Sequence, residues 1–444
     1  IKLKKFDFSK NDITTIQSDI EKLINLEYLK FYDNKITVIP ALEKLINLKY
    51  FNCSNNKITI LPDIGNLINL EYFNCQNNRL TIIPDIENLI NLEYFNCDIN
   101  ELSLIPNIGN LINLKYFSCA NNKITIIPEI ENLINLEYFN CNDNIISKIP
   151  NIEKLNKLKI FNCNKNIISE ISLKNLINLL EFTCDNNIIS IISSDIGNLK
   201  NLKKFTCDNN IISIIPPEIG NLIKLEYFCC NSNIILIIPP EIGNLIKLEY
   251  FGCNDNKIIE IPPEISGLTN LTEFYCSDNK ITKIPPEIGN LKNLKIFYCN
   301  ANYLTKIPPE IGKLINLQEF EILYNKLTEI PPEIGYLINL KNLYCSENNI
   351  RTLPNEICNL LQLKSFWYDI HKINNISEDV IKFLKLEDED EDKDLKFLEQ
   401  ERMKGKRCVI CEIEDCEDVF EEEHRDICKD CYKEAKERKI MNNN

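Results

Sequence analysis

Apolar residues recur along this chain at fixed offsets. A leucine is followed three residues later by an aromatic, then by a cysteine, an asparagine and an isoleucine, from Leu3 to about Leu363. The unit is legible in Leu48, Phe51, Cys53, Asn56, Ile58, Leu61 and Pro62, which reads L-x-x-F-x-C-x-x-N-x-I-x-x-L-P. Unit positions are counted below from that first leucine. Units open at Leu48, Leu70, Leu92, Leu114, Leu136 and Leu158, 22 residues apart; a 21-residue step leads to Leu179, and the spacing is then 23 through Leu363. Seventeen units result, the last one degenerate.

The alternation at positions 1, 4 and 6 predicts a short strand, with Leu48, Phe51 and Cys53 pointing inward and Lys49, Tyr50 and Asn52 outward. A single unit cannot bury that face. Stacked units can, in a parallel sheet whose opposite side is closed by the I-G-N-L-I-N-L segments as short helical turns. At about 4.8 Å per strand, seventeen strands span roughly 75 to 80 Å. The asparagine at position 9, from Asn34 and Asn56 to Asn348, points inward and is expected to satisfy backbone groups where the strand turns. His371 takes that position in the last unit.

This pattern resembles the leucine-rich repeat family, whose signature L-x-x-L-x-L-x-x-N-x-L is matched with Phe at the fourth position, Cys at the sixth and Ile at the eleventh. The resemblance covers residues 1–386. It implies an α/β solenoid with its parallel sheet on the concave face, a scaffold that many functions share. The abundance of Asn, Ile and Lys gives these repeats a likeness to those of large DNA viruses or amoebae. The chain opens inside a repeat at Ile1, so further residues are expected upstream. At the other end, Ser377 is placed to cap a helix running to Lys385, with Val380, Ile381, Phe383 and Leu384 covering the final core layer.

Thirteen of the 20 cysteines occupy position 6, where a small apolar side chain is wanted. An odd count on parallel neighbouring strands argues for reduced thiols rather than a disulfide ladder, and hence for an intracellular, cytoplasmic protein. Cys229, at outward position 5, is expected to be the most accessible thiol of the solenoid. The net charge of -15 disfavours nucleic acid as a partner. No apolar run approaches the ~20 residues that span a bilayer, so no membrane partner is expected.

Beyond the repeats, Glu387 to Asp394 holds seven acids and one lysine, and residues 387–407 read as an acidic linker. Residues 408–444 carry Cys408-Val-Ile-Cys411 and Cys428-Lys-Asp-Cys431 with sixteen residues between them, the spacing of a structural zinc site. Two such turns aim four thiolates at one Zn2+, and metal would supply the folding energy that 37 residues cannot find in a core. Cys416 and His424 are spare donors. The module resembles treble-clef zinc fingers, with a helix expected over Tyr432 to Lys439, and has too few ligands for a RING finger.

Catalytic constellations are otherwise missing. There is no G-x-x-x-x-G-K-[ST], G-x-G-x-x-G or G-x-S-x-G motif, and only His371 and His424 exist. The reading that remains is an interaction scaffold, not an enzyme. Position 3 carries Tyr28, Tyr50, Tyr72, Tyr94, Tyr116 and Tyr138, then Tyr227 and Tyr250, an array suited either to stiffening the sheet or to binding. Later the aromatics move to position 5, as Tyr275, Tyr298, Tyr344 and Trp367, beside Glu273, Glu319, Glu321 and Glu347. Irregular exposed aromatics with acids around them predict a protein partner with a basic face. The alternative is an adaptor whose zinc module recruits a modification enzyme or touches nucleic acid through Lys429, Lys433, Lys436, Arg438 and Lys439.

Overall fold

A computed structural model describes residues 2–374, 376–384, 419–422 and 425–428. The chain divides into two units between Ile376 and Ser377. The first unit holds seventeen three-residue strands, from β1 (Lys5–Asp7) to β17 (Ser365–Trp367), paired in chain order into one open parallel sheet. Each residue sits beside the same position of the next unit, as Tyr50, Phe51 and Asn52 do beside Tyr72, Phe73 and Asn74. That register turns every unit position into a row.

The inward rows are the core. From the unit opening at Leu26 to that opening at Leu340, the leucines at position 1, phenylalanine or leucine at 4, mostly cysteine at 6 and isoleucine or leucine at 11 are buried. From Phe51 to Phe320 the rings stack with centroids 5.3 to 5.6 Å apart, so each ring covers its neighbour at the spacing aromatic pairs prefer. The position-6 cysteines are buried thiols outside any disulfide. Ten of the thirteen donate Sγ to the position-5 carbonyl of the next unit, as Cys207 does to Cys229 at 3.5 Å, and burial pushes these thiols far above their ordinary range.

Cys229 departs from expectation. It is only 2 % exposed. Its neighbour in the next strand is Gly252, where an added Cβ would come within 2.9 Å of the thiol. The sulfur sinks into that gap and accepts a hydrogen bond from Asn231 Nδ2 at 2.9 Å. It is therefore not the accessible thiol of the solenoid; among the described cysteines that is the half-buried Cys358.

The asparagines at position 9 do what their inward spacing predicts. Asn210 Nδ2 donates to the carbonyls of Cys184, Cys207 and Asp208 at 3.0 to 3.1 Å, and its Oδ1 accepts from the Ile189 N–H at 2.9 Å. One side chain thus closes the turns of two units.

The residue just before it, at position 8, is left-handed in sixteen successive units, from Lys10 (φ 56) to Glu347 (φ 56). Asparagine and aspartate tolerate that conformation best, which explains Asp33, Asn55, Asn77, Asn121 and Asp143 there. Ile99, at φ 53, is the misfit. A β-branched side chain in this region costs about 1–2 kcal/mol, and Ile99, 45 % exposed, returns little of it through burial. Ile99→Asn should therefore raise the stability of the solenoid by about 1 kcal/mol in urea denaturation. An unchanged or lowered midpoint would remove the strain argument.

Helical turns close the outer side only where the unit is long enough. The 23-residue units carry five-residue 3-10 turns such as Pro217–Asn221 and Pro240–Asn244, whereas the 22-residue units opening at Leu48 to Leu136 close through single hydrogen-bonded turns, as in Leu67 N–H to the Ile64 carbonyl at 2.9 Å. In the six units opening at Leu202 to Leu317 the added residue is one member of a Pro-Pro pair whose fixed φ opens the turn. Neighbouring turns pack so closely that a Cβ on Gly220 would lie 2.6 Å from the Glu241 carbonyl oxygen, the reason for glycine in I-G-N.

In the second unit, Ser377 Oγ accepts from the Val380 N–H at 3.4 Å and opens the helix α1 (Glu378–Phe383), with Leu384 as its C-cap. β18 (Val419–Glu422) and β19 (Arg425–Cys428) form an antiparallel pair in which Val419 faces Cys428. Residues 387–407, Cys408, Cys411, Cys416, His424, Cys431 and the segment Tyr432 to Lys439 lie outside the described residues.

Candidate protein-interaction face

The outward face of the sheet presents positions 3 and 5 of every strand, and its two halves differ. From Tyr50 to Tyr138 the position-3 rings stack face to face, with centroids 4.0 to 4.3 Å apart and planes within 10°. Asn74 and Asn96 donate to the Tyr72 and Tyr94 hydroxyls at 3.4 Å. These rings use their faces on one another, and the geometry favours stiffening over binding.

The second half is irregular. Register places Tyr275 of β13 (Glu273–Tyr275) beside Tyr298 of β14 (Ile296–Tyr298), Tyr298 beside Glu321 of β15 (Glu319–Glu321), Glu321 beside Tyr344 of β16 (Asn342–Tyr344), and Tyr344 beside Trp367 of β17. The position-5 row therefore reads Tyr, Tyr, Glu, Tyr, Trp. Tyr275 and Tyr298 meet edge to face at 88° and 5.1 Å, and Tyr344 lies 4.7 Å from Trp367 at 36°. All five side chains are half-buried.

Carboxylates flank that row from position 3. The Tyr275 hydroxyl donates to Glu273 at 2.7 Å and the Tyr298 hydroxyl to Glu319 at 2.5 Å. Burial, reinforced by these acids, pushes both phenols above their ordinary range. Glu321 accepts from Asn300 Nδ2 at 2.6 Å, and burial pushes its carboxyl up. A carboxylate that has lost water without gaining a cation is left with unmet attraction for one. Glu347 stands apart: it is the exposed left-handed residue of the turn after β16 and not part of the row.

A second polar row, at position 7, was not anticipated. Its side chains accept the backbone N–H of position 7 in the next unit: Asn164 from Asp185 and Asp185 from Asp208 at 2.8 Å, Asp208 from Asn231 at 2.6 Å, Asn231 from Asn254 at 2.7 Å. The sequence signal is a run of Asn, Asp and Ser two residues before the ladder asparagine. Asn does this work without charge, and burial pushes the Asp185 and Asp208 carboxyls above the usual range, Asp208 adding to the shift at Asp185. A carboxyl whose pKa rises on folding stabilises the fold when protonated, and that contribution is lost as pH rises through the raised value. Asp185→Asn with Asp208→Asn should thus raise the melting temperature at pH 7, with the gain vanishing once pH falls below the ordinary aspartate range near about 4. An equal gain at both pH values would contradict it.

Among the described residues, no cluster of three or more His, Cys, Asp or Glu side chains is arranged to hold a metal, and no helix is long and apolar enough to cross a membrane.

Comparison with known proteins agrees with the repeat period. A leucine-rich repeat region matches residues 237–326, paired leucine-rich repeats match 24–66 and 112–154, and a single repeat matches 339–360. A leucine-rich repeat protein of Leptospira interrogans shares 33% identity over 81% of this chain and 94% of its own, with a TM-score of 0.71. The chain belongs to the leucine-rich repeat family. No curated protein matches it. The functional domain of InlJ from Listeria monocytogenes, a structure that includes a cysteine ladder, is 26% identical over 79% of this chain and 74% of that one, with a TM-score of 0.70. The Arabidopsis receptor kinase HAESA, in complex with the peptide hormone IDA and the co-receptor SERK1, is 26% identical over 82% of this chain and 69% of that one, with a TM-score of 0.63. Leucine-rich repeat proteins generally mediate protein–protein interaction, and the fold is typically a non-enzymatic binding scaffold.

Proposed function

We propose that this chain is an intracellular interaction scaffold that grips a basic segment of a protein partner on the concave face of its sheet, over the row from Tyr275 to Trp367. The observation that carries this reading is Glu321 set between two aromatic pairs in one row, with Glu273 and Glu319 alongside. A lysine or arginine entering there meets ring faces, worth about 0.5–2 kcal/mol as a cation–π contact, and carboxylates that form short charge-assisted hydrogen bonds. The net charge of -15 favours the approach of a basic surface. Buried reduced thiols at thirteen positions support a reducing compartment. The test is affinity capture on the full chain, compared with capture on Tyr298→Ala and on Tyr94→Ala. Partners retained by Tyr94→Ala and lost by Tyr298→Ala support the reading; the reverse pattern moves the site to the tyrosine stack.

The tail is proposed to hold one structural zinc on Cys408, Cys411, Cys428 and Cys431, of which Cys428 is the last residue of β19. Metal analysis of the purified full chain should find about one zinc per molecule, lost in Cys408→Ser. Stoichiometric protein without zinc would end the proposal.

A further inference from the structure

Just past the strand turns, positions 8, 10 and 13 form the flank of the solenoid, and neighbouring units stay in register there. Lys280 N–H bonds the Ile258 carbonyl, Tyr303 N–H the Ile281 carbonyl and Lys326 N–H the Leu304 carbonyl, at 2.8 to 2.9 Å. Elsewhere on this flank cations meet acids one unit away: Lys35 pairs with Asp12 at 2.7 Å and Lys123 with Glu101 at 3.3 Å. In the units opening at Leu271, Leu294 and Leu317 they do not. Position 10 there reads Lys280, Tyr303, Lys326, and position 13 reads Lys283, Lys306, Glu329. All four lysines are exposed, and none enters an ion pair among the described residues. Across positions 8 to 13 of these units the four lysines stand against two acids, Asp278 and Glu329, in a chain where acids outnumber Lys and Arg by 65 to 50. The patch is cationic on a molecule that is not.

Aromatics set these lysines apart from the rest. Among the described residues the exposed tyrosines are Tyr303, Tyr324 and Tyr336, at 45, 52 and 64 %, and the first two lie in this patch. Lys326 Nζ sits 4.5 Å from the centroid of the Tyr303 ring, a cation–π contact that holds its ammonium group at the surface. Exposed tyrosine among cations without counter-charges is the composition of an interface anchor and its charged surround.

We propose that this patch, centred on Lys283, Tyr303 and Lys306, docks a short acidic segment of a protein partner, on a surface separate from the concave row. Carboxylates of that segment supply the counter-charge through charge-assisted hydrogen bonds to the ammonium groups. Tyr303 and Tyr324 cover its apolar parts. Two strand spacings separate Lys280 from Lys326, roughly 10 Å, the length of about three extended residues. That span favours a peptide over nucleic acid. A polynucleotide would run on over Glu260 and Glu329, which close the position-13 row at either end. It would also want ring faces in succession, whereas one face of Tyr303 is taken by Lys326.

Fluorescence anisotropy of a labelled ten-residue glutamate peptide, titrated with the full chain at about 0.1 M salt, tests this. Lys283→Glu with Lys306→Glu should raise the dissociation constant at least about tenfold, and Tyr303→Ala should raise it as well. Lys57→Glu with Arg79→Glu makes the same change of charge on exposed position-10 side chains ten units away, far beyond the screening length of about 10 Å, and should leave the curve in place. Circular dichroism should show both pairs folded. The lysine variant should still capture the partners that Tyr298→Ala loses, so this surface and the concave row fail separately. No binding by the unaltered chain, an equal loss in the two charge-reversed pairs, or tighter binding of an oligonucleotide of matched charge would overturn the proposal.

Discussion

Asn210→Leu is expected to destabilise the solenoid by roughly 3–5 kcal/mol, although the two side chains are close in size. Asn210 is 7 % exposed and makes four hydrogen bonds. Leucine would leave the Ile189 N–H without a partner in a buried turn, while each carbonyl would lose one of two donors: Cys184 keeps Asn187 Nδ2, Cys207 keeps Asn233 Nδ2 and Asp208 keeps the Asn186 N–H. The orphaned N–H costs about 1–3 kcal/mol and each lost carbonyl bond about 0.5–1.5 kcal/mol, less whatever the backbone recovers by relaxing. Stability in a repeat array is close to a sum of unit and neighbour terms, so a defect in the tenth of seventeen units also weakens the coupling between the two arms. Urea denaturation should show a lower midpoint and a broader or two-step transition. The control is Asn69→Ala, an exposed asparagine with one described side-chain bond, to the Ile46 carbonyl at 2.8 Å, whose loss should stay within about 0.5 kcal/mol. Equal midpoints for the two variants would sink the account of the ladder.

Trp367→Ala and Tyr298→Ala should each weaken partner binding by about 2 kcal/mol, roughly thirtyfold in Kd. Aromatic anchors at the centre of an interface usually dominate its energy, and these two lie in the row that also holds Glu321. Both are half-buried on the outward face, with the phenylalanine core beneath them intact, so the melting temperature should change little. Glu321→Lys should act differently. It places a cation where one is meant to bind, so association should slow and lose its salt dependence. A variant that binds normally but melts early would show that the row is structural.

Most of the architecture was legible because a period of 22 or 23 residues leaves few alternatives: the inward leucine, phenylalanine and cysteine and the satisfying asparagine follow from alternation alone. The distribution of 3-10 turns was also written in the period, since one residue separates a unit that winds from one that does not. Cys229 was misjudged because its burial depends on Gly252, 23 residues away, and only the sheet register makes them neighbours. The same register joins Tyr275, Tyr298, Glu321, Tyr344 and Trp367 into one row, whereas spacing alone suggested aromatics with acids nearby and grouped with them Glu347, which sits outside the row. Its left-handed φ belongs to the backbone requirement of the turn, which composition at position 8 signals only weakly. The position-7 row escaped notice because its acceptors pair with backbone N–H groups one unit on, which no side-chain pattern displays.

Trp367 is the only tryptophan of the chain, and its emission reports directly on the proposed site. The decisive measurement is a fluorescence titration of the full chain, excited at tryptophan, with a captured partner that lacks tryptophan, alongside Tyr94→Ala and Tyr298→Ala. The account predicts that Trp367 emission shifts and saturates with the binding curve, that Tyr94→Ala leaves the curve in place, and that Tyr298→Ala moves it to roughly thirtyfold higher concentration. Binding, measured independently, that leaves Trp367 emission unchanged and is abolished by Tyr94→Ala would contradict it and place the partner on the stacked tyrosines.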